Sequence, residues 1–241
     1  MKPVRALITG ASGAIGHAIA RKLAAHGINI VLHFHTRRSE TEQLAEELRS
    51  TGADIMLSGF DVGDAVAAQR SIVEILEAGP VQILINNAGF FDDAPMAGMS
   101  QAQWQRVVDT CLNGFYNVTQ PLLMPMMATR WGRIISITSV SGVIGNRGQS
   151  NYAAAKAGIH AASRSLALEV ASRGITVNCI APGVIRSPQT EKLFSSERIM
   201  RMVPVQRMGE PQEVAELTHF LASKNAAYIT GQIIGINGGM A

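Results

Sequence analysis

Seven short apolar runs, separated by stretches with helical patterning, restrict this chain more than any single motif. The runs are VRALIT (4–9), INIVLHF (28–34), ADIMLSGF (53–60), QILIN (82–86), GRIISIT (132–138), ITVNCIA (175–181) and QIIGIN (232–237). Continuous apolar runs of this length fit strands that are covered on both faces. Helical patterns fill the gaps. They run from about Ala14 to His26, through SETEQLAEELRST (39–51), near 64–78, from about Gln103 to Thr129, through 149–169, and over 211–223. Pro121 and Pro125 are expected to kink the fourth of these. Strands alternating with helices imply an α/β fold, a doubly wound parallel sheet in three α/β/α layers. No linker, repeat or low-complexity segment divides residues 1–241, so one domain is expected. The irregular stretch 184–210 reads as a mobile loop carrying a short helix.

Composition narrows the partners. Hydrophobic residues make up 47% of the chain and charged residues 16%, which supports a sizeable core and excludes disorder. A net charge of +3 is too mild for a nucleic-acid binder but suits anionic ligands. Two cysteines, Cys111 and Cys179, give no disulfide framework, so a reducing, cytoplasmic setting is expected. No stretch approaches ~18 uncharged apolar residues, and MKPVRALITGAS lacks a signal-peptide core, so no membrane span or leader is expected.

LITGASGAIGHAIA (7–20) lies between the first strand and the first helix. Gly10 suits a tight turn, and Gly16 lets helix and sheet approach, so the helix N-terminus points its amides at a pyrophosphate. An ordinary glycine-rich turn is the plainer alternative. The second strand ends in HFHTRRSE (33–40), with Arg37 and Arg38 and no acid before Glu40. A guanidinium pairs with a 2′-phosphate, which favours NADP(H) over NAD; a solvated charge pair opening a helix remains the alternative. His33 and His35 share one strand face in H-x-H spacing, yet no third ligand is evident and no metal site is expected.

Tyr152 and Lys156 stand at i and i+4, on one face of a helix. A phenol has a pKa of about 10, and an adjacent ammonium favours its ionised form. Lowering that pKa by ~3 units takes ~4 kcal/mol. A chance pair, a partly buried tyrosine beside a surface lysine, is weighed against this. Context favours a site. SITSVSG (136–142) places Ser139 after the fifth strand, NNAG (86–89) ends the fourth, and APG (181–183) follows the sixth. All lie at strand C-terminal ends, the ligand-binding rim of open parallel sheets.

These motifs together resemble the short-chain dehydrogenase/reductase family over essentially the whole chain. They are TGASGAIG, NNAG, Ser139 thirteen residues before the Tyr152/Lys156 pair, Pro182–Gly183, and TGQIIGINGGM (230–240). GNRGQSNYAAAKAG (145–158) and LALEVASRGITVN (166–178) are most similar to the 3-oxoacyl-(acyl-carrier-protein) reductases within it. The resemblance implies a Rossmann-like sheet, a homotetramer, and NADPH-dependent reduction of a 3-oxoacyl thioester on acyl carrier protein, in fatty-acid or specialised polyketide or polyene synthesis. Tyr152 is then the general acid, Ser139 holds the substrate carbonyl, and Lys156 lowers the tyrosine pKa and holds the nicotinamide ribose. Gly10, Ser12, Ala14, Ile15, Gly16, Arg37 and Arg38 would surround the cofactor. Asp61 and Val62 would meet its adenine, Asn87, Ala88 and Gly89 its riboses, and Pro182, Gly183 and Ile185 its nicotinamide end. Gln149 would line the substrate entrance, 184–210 would form a lid, and Arg130 and Arg173 would dock the carrier.

The chain departs from the family at three positions. Cys111 takes the place of an asparagine whose main-chain carbonyl holds a relay water behind the lysine. A cysteine carbonyl can still do this, so activity is expected to persist. Asn113, two residues on, points about 200° away and cannot replace it. Ala14 replaces the middle glycine, and Gly13 stands where NADP-dependent relatives have arginine, leaving Arg37 and Arg38 to hold the 2′-phosphate. A reductase or dehydrogenase of a free ketone, sugar or secondary alcohol, and a non-catalytic nucleotide-binding subunit, are the competing readings.

Overall fold

The computed structural model describes residues 4–241. The strands are β1 (Arg5–Ile8), β2 (Asn29–Phe34), β3 (Ile55–Gly59), β4 (Ile83–Asn86), β5 (Gly132–Ile137), β6 (Ile175–Pro182) and β7 (Ile233–Ile236). They form one sheet in the order β3-β2-β1-β4-β5-β6-β7, with every neighbouring pair parallel. The chain builds outward from β1 to β3, then returns to β4 and builds the other way. The C-terminal ends of β1 and β4 therefore flank the point where strand order reverses, and a crevice opens there.

The helices are α1 (Ala14–Ala24), α2 (Arg38–Arg49), α3 (Ala65–Glu77), α4 (Gln101–Val108), α5 (Gly114–Thr129), α6 (Ser141–Ile144), α7 (Ser150–Val170), α8 (Pro188–Leu193), α9 (Ser196–Met202) and α10 (Pro211–Ala222). α1, α2 and α10 pack on one face of the sheet, and α3, α5 and α7 on the other. The apolar strands are thus two alternating sets. Ala6, Ile8, Ile30, Leu32, Ile83 and Ile85 enter the first core, while Leu7, Val31 and Leu84 enter the second. Each such isoleucine, leucine or valine contributes roughly 1.5–3 kcal/mol by leaving water, and together they fix the rim on which the functional residues sit. Among the described residues, no helix is long and apolar enough to cross a membrane.

Two regions differ from the sequence expectation. The helix expected over Gln103–Thr129 is interrupted by a π-turn at Asp109–Asn113, and the prolines Pro121 and Pro125 lie inside α5 without ending it. The irregular 184–210 stretch holds two short helices, α8 and α9. Each is capped by a serine, Ser187 and Ser195, that accepts main-chain N–H groups.

Candidate active site

The glycine turn between β1 and α1 is shaped by crowding. Gly10 has φ +63°, and a Cβ there would lie 2.9 Å from Ala88 Cα. A Cβ on Gly16 would lie 2.6 Å from the Gly10 carbonyl oxygen and 2.8 Å from Ala11 Cα. Both positions exclude side chains, so the backbone itself borders the crevice at this turn. α1 is preceded by Gly13, which offers no side-chain cap, and has no acid in its first turn, so its first N–H groups are left open to an anion. NNAG (86–89) braces the turn from β4. Asn87 Nδ2 donates to the carbonyls of Thr9 (2.9 Å) and Gly10 (3.0 Å). Thr9 Oγ1 accepts from the N–H groups of Asn87 and Ala88, each at 2.9 Å.

A residue that the sequence did not single out for this role completes the brace. His33 Nδ1 accepts the Gly10 N–H at 3.0 Å, and Nε2 donates to the Phe60 carbonyl at 2.9 Å. The ring joins the phosphate turn to the end of β3 as a neutral imidazole, with the proton on Nε2. Burial pushes its pKa down to about 4, and the nearby His35 adds to that; the Phe60 carbonyl and Asp61 oppose it. β2 ends at Phe34 and His35 is exposed beyond it, so the two histidines do not form a chelating pair.

A cleft of about 500 Å³ runs along this rim, lined by Gly10, Gly13, Ala14, Ile15, Gly16, Arg37, Asn87, Ala88, Gly89, Ser139, Tyr152, Lys156, Pro182, Gly183 and Ile185, among others. Its glycine floor, uncapped helix end and flanking guanidinium fit an extended dinucleotide. Arg37 reaches over the helix start: a Cβ on Gly13 would sit 3.9 Å from its Nη2. Four expected cofactor residues, Ser12, Arg38, Asp61 and Val62, are not part of this lining. Arg38 pairs with Glu42 at 2.7 Å. Asp61 accepts the Gly63 N–H at 2.8 Å, and Val62 packs beneath Gly114.

A second cleft, of about 740 Å³, meets the first at Phe91, Ser139, Tyr152, Gly183, Ile185 and Thr190. Tyr152 stands at that junction on α7, with Phe91 edge-on to its ring at 6.1 Å between centroids. Lys156, 3% exposed, lies one turn behind, its Nζ 5.5 Å from the Tyr152 ring centroid and donating to the Ile137 carbonyl at 3.0 Å. Burial raises the Tyr152 pKa above that of a free phenol; Lys156 and Ser139 pull it down, and Cys111 and Asp93 push it up. Burial alone would lower the Lys156 pKa, but the surrounding acidic groups, Tyr152, Cys111 and Cys179, outweigh it and the net direction is upward. In this state the site holds a neutral phenol beside an ammonium, a proton donor with its charge partner in place.

Ser139 is aimed by its neighbours. Its Oγ accepts the Ser141 N–H at 3.1 Å, which leaves the hydroxyl proton for an acceptor in the cleft. Ser141 Oγ donates to Gln149 Oε1 at 2.9 Å, and Asn146 Nδ2 donates to the same oxygen at 3.0 Å. Gln149 Nε2 in turn donates to both Asp93 oxygens, at 3.1 and 3.0 Å. Gln149 therefore borders the second cleft with its amide fully engaged. It orients the 139–141 turn instead of offering a free group to substrate. Gln149→Leu is expected to lower kcat about tenfold with little change in cofactor affinity, the scale of one lost polar contact. Steady-state kinetics with cofactor titration checks this, and an unchanged kcat contradicts it.

The π-turn carries Cys111 against the back of Lys156. A Cβ on Gly89 would lie 3.2 Å from both Cys111 Sγ and Lys156 Nζ, so the glycine leaves room for the two side chains to converge there. The thiol donates weakly to the Phe90 carbonyl at 3.7 Å. A cavity of about 10 Å³ lies between this turn and Lys156, lined also by Thr9, Asn86 and Thr110. It has room for about one water. Asn113 is exposed and donates to Asp109, facing away from that space.

Arg130 and Arg173 are not brought to the site. Arg130 ends α5 with φ +50°, Arg173 precedes Gly174, and the Gly174 carbonyl accepts from the N–H of Gly132 at the start of β5. The six-residue length of β5, roughly 20 Å, separates them from Ser139.

Comparison with known proteins agrees with this geometry. A family model described as enoyl-(acyl carrier protein) reductase matches residues 10–241. The 3-oxoacyl-(acyl-carrier-protein) reductase FabG of Aggregatibacter actinomycetemcomitans is 44% identical over 236 residues, 97% of this chain and 98% of that protein. Nodulation protein G of Rhizobium sp. (strain N33) is 47% identical over 239 residues, 98% and 96% of the two chains. FabG of Escherichia coli (strain K12) is 44% identical over 239 residues, with the same coverage. Because the family match runs from Gly10 to the last residue and the relatives are covered almost end to end, the chain belongs to the short-chain dehydrogenase/reductase family of oxidoreductases.

Proposed function

We propose that the chain catalyses the NADPH-dependent reduction of a 3-oxoacyl thioester on acyl carrier protein to the 3-hydroxyacyl form, as a cytoplasmic homotetramer. The observation that carries the reading is the meeting of two clefts at Ser139 and Tyr152, one fitted to a dinucleotide and one open to a substrate. The 3-oxoacyl reductases among its relatives supply the substrate class. Reduced nicotinamide supplies hydride to the carbonyl carbon. Ser139 donates a hydrogen bond to the carbonyl oxygen, Tyr152 gives that oxygen its proton, and Lys156 holds positive charge beside the phenolate left behind. A water in the cavity between Lys156 and the Cys111 turn would return the proton through the ammonium. The 184–210 segment serves as the lid.

NADPH oxidation tests the reading with four substrates: a 3-oxoacyl carrier protein, the matching small thioester, a simple ketone and a trans-2-enoyl thioester. Faster turnover of the 3-oxoacyl thioesters supports it. Preference for the ketone or the enoyl thioester overturns the substrate, and no turnover despite cofactor binding overturns the enzyme. Arg37, lying over Gly13, is assigned to the 2′-phosphate. NADPH is expected to exceed NADH in kcat/KM by at least about tenfold, the scale of a charge-assisted contact. Arg37→Ala should remove most of that preference, and equal kcat/KM for the two cofactors in the unaltered protein refutes it.

A further inference from the structure

The arginines around the second cleft fall into two groups. Arg186 pairs with Glu191 and Glu210, at 2.8 and 2.9 Å, and Arg207 pairs with Glu213 at 2.7 Å. These bind the 186–213 region to itself. Arg147 and Arg198 line the substrate cleft, and among the described residues neither side chain forms an ion pair or a hydrogen bond. They come from different elements that border this one cleft. Arg147 belongs to the loop between α6 and α7, between the left-handed glycines Gly145 (φ +75°) and Gly148 (φ +83°). That loop is pinned at its base: Asn146 holds Gln149, and the Gly148 carbonyl accepts the Ala94 N–H at 2.9 Å. Arg198 rises from α9, its guanidinium carbon 4.8 Å from the Phe194 ring centroid, and the stacked ring limits where its charge can point.

We propose that Arg147 and Arg198 form a subsite for a phosphate on the arm that carries the thioester, the 4′-phosphate of a phosphopantetheine. This rests on the proposed thioester reduction and names the handle by which that substrate is gripped. Two guanidiniums without a partner, bordering one cleft, suit a phosphate group, each offering N–H donors to its oxygens. Contact with both joins α9 to the fixed α6–α7 loop while the acyl part extends toward Ser139 and Tyr152. The phosphate is shared by carrier-linked and coenzyme A-linked thioesters, so the subsite reads the arm and not the carrier's own surface.

The test compares one 3-oxoacyl group presented three ways: on carrier protein, on coenzyme A, and on N-acetylcysteamine, which lacks the phosphate. R147E and R198E are each expected to lower the kcat/KM ratio of the coenzyme A thioester to the N-acetylcysteamine thioester about tenfold, through KM. The doubly reversed variant should lower it further. The carrier-linked substrate should follow the coenzyme A thioester. An unchanged ratio overturns the subsite, and a loss confined to the carrier-linked substrate reassigns the arginines to the carrier's surface and overturns it too. Failure of the unaltered protein to reduce any of the three thioesters instead overturns the proposed function itself. Thermal melts of both variants, matched to the unaltered protein, show that the ratio reports binding.

Discussion

Tyr152→Phe is expected to lower kcat/KM for carbonyl reduction about 10³-fold, the scale of a lost general acid and equivalent to ~4 kcal/mol in the barrier. Cofactor affinity should change little, because the ring stays against Phe91 and Lys156 keeps its bond to the Ile137 carbonyl. The size of the loss follows from what remains. Ser139 still offers its proton to the substrate oxygen, so polarisation survives without proton delivery. Burial holds the phenol above its ordinary pKa, so in the unaltered protein it stays protonated through neutral pH. Reduction should then hold a plateau there and fall only on the alkaline side as the phenol ionises. Initial rates across pH, with fluorescence titration of NADPH, check both parts. A loss of tenfold or less would mean that another group delivers the proton.

The parts that were legible in the sequence share a cause. The strands show because burial on both faces demands continuous apolar runs. Tyr152 and Lys156 show because one helical turn sets them on a common face, and Ser139 shows because it follows a strand end. What stayed hidden depends on long-range packing. Gln149 borders the substrate cleft, yet its role as a brace shows only when Asp93, fifty-six positions earlier, is seen to accept its amide at both oxygens. The π-turn at Asp109–Asn113 leaves no mark in a 3.6-residue pattern, so the helix read as continuous and only the prolines stood out. Asp61 and Val62 are adjacent to the rim in sequence, yet their side chains serve a turn and a helix contact. Arg130 and Arg173 carried a charge signal with no position attached, and the fold sets them at the other end of β5.

His33 follows the same logic and gives the second large effect. The unfolded chain protonates this histidine near pH 6.5, whereas the folded chain resists until about pH 4. Between those values the unfolded state binds more protons, so stability rises with pH and is lost as pH falls from about 6.5 to about 4. Across that window the loss amounts to roughly 3 kcal/mol from this one buried group. His33→Gln removes the titration. Its stability in urea should fall less steeply over the same range than that of the unaltered protein, although it starts lower at pH 7 because the Gly10 N–H loses its acceptor. Protonation at Nδ1 would also turn that atom from acceptor to donor and release Gly10 from the brace. NADPH affinity should therefore weaken in step with the acid loss of stability in the unaltered protein, and not in the variant. Parallel pH slopes for the two proteins, in stability and in cofactor binding, would show that the imidazole holds the phosphate turn by shape alone and that its protonation state is irrelevant.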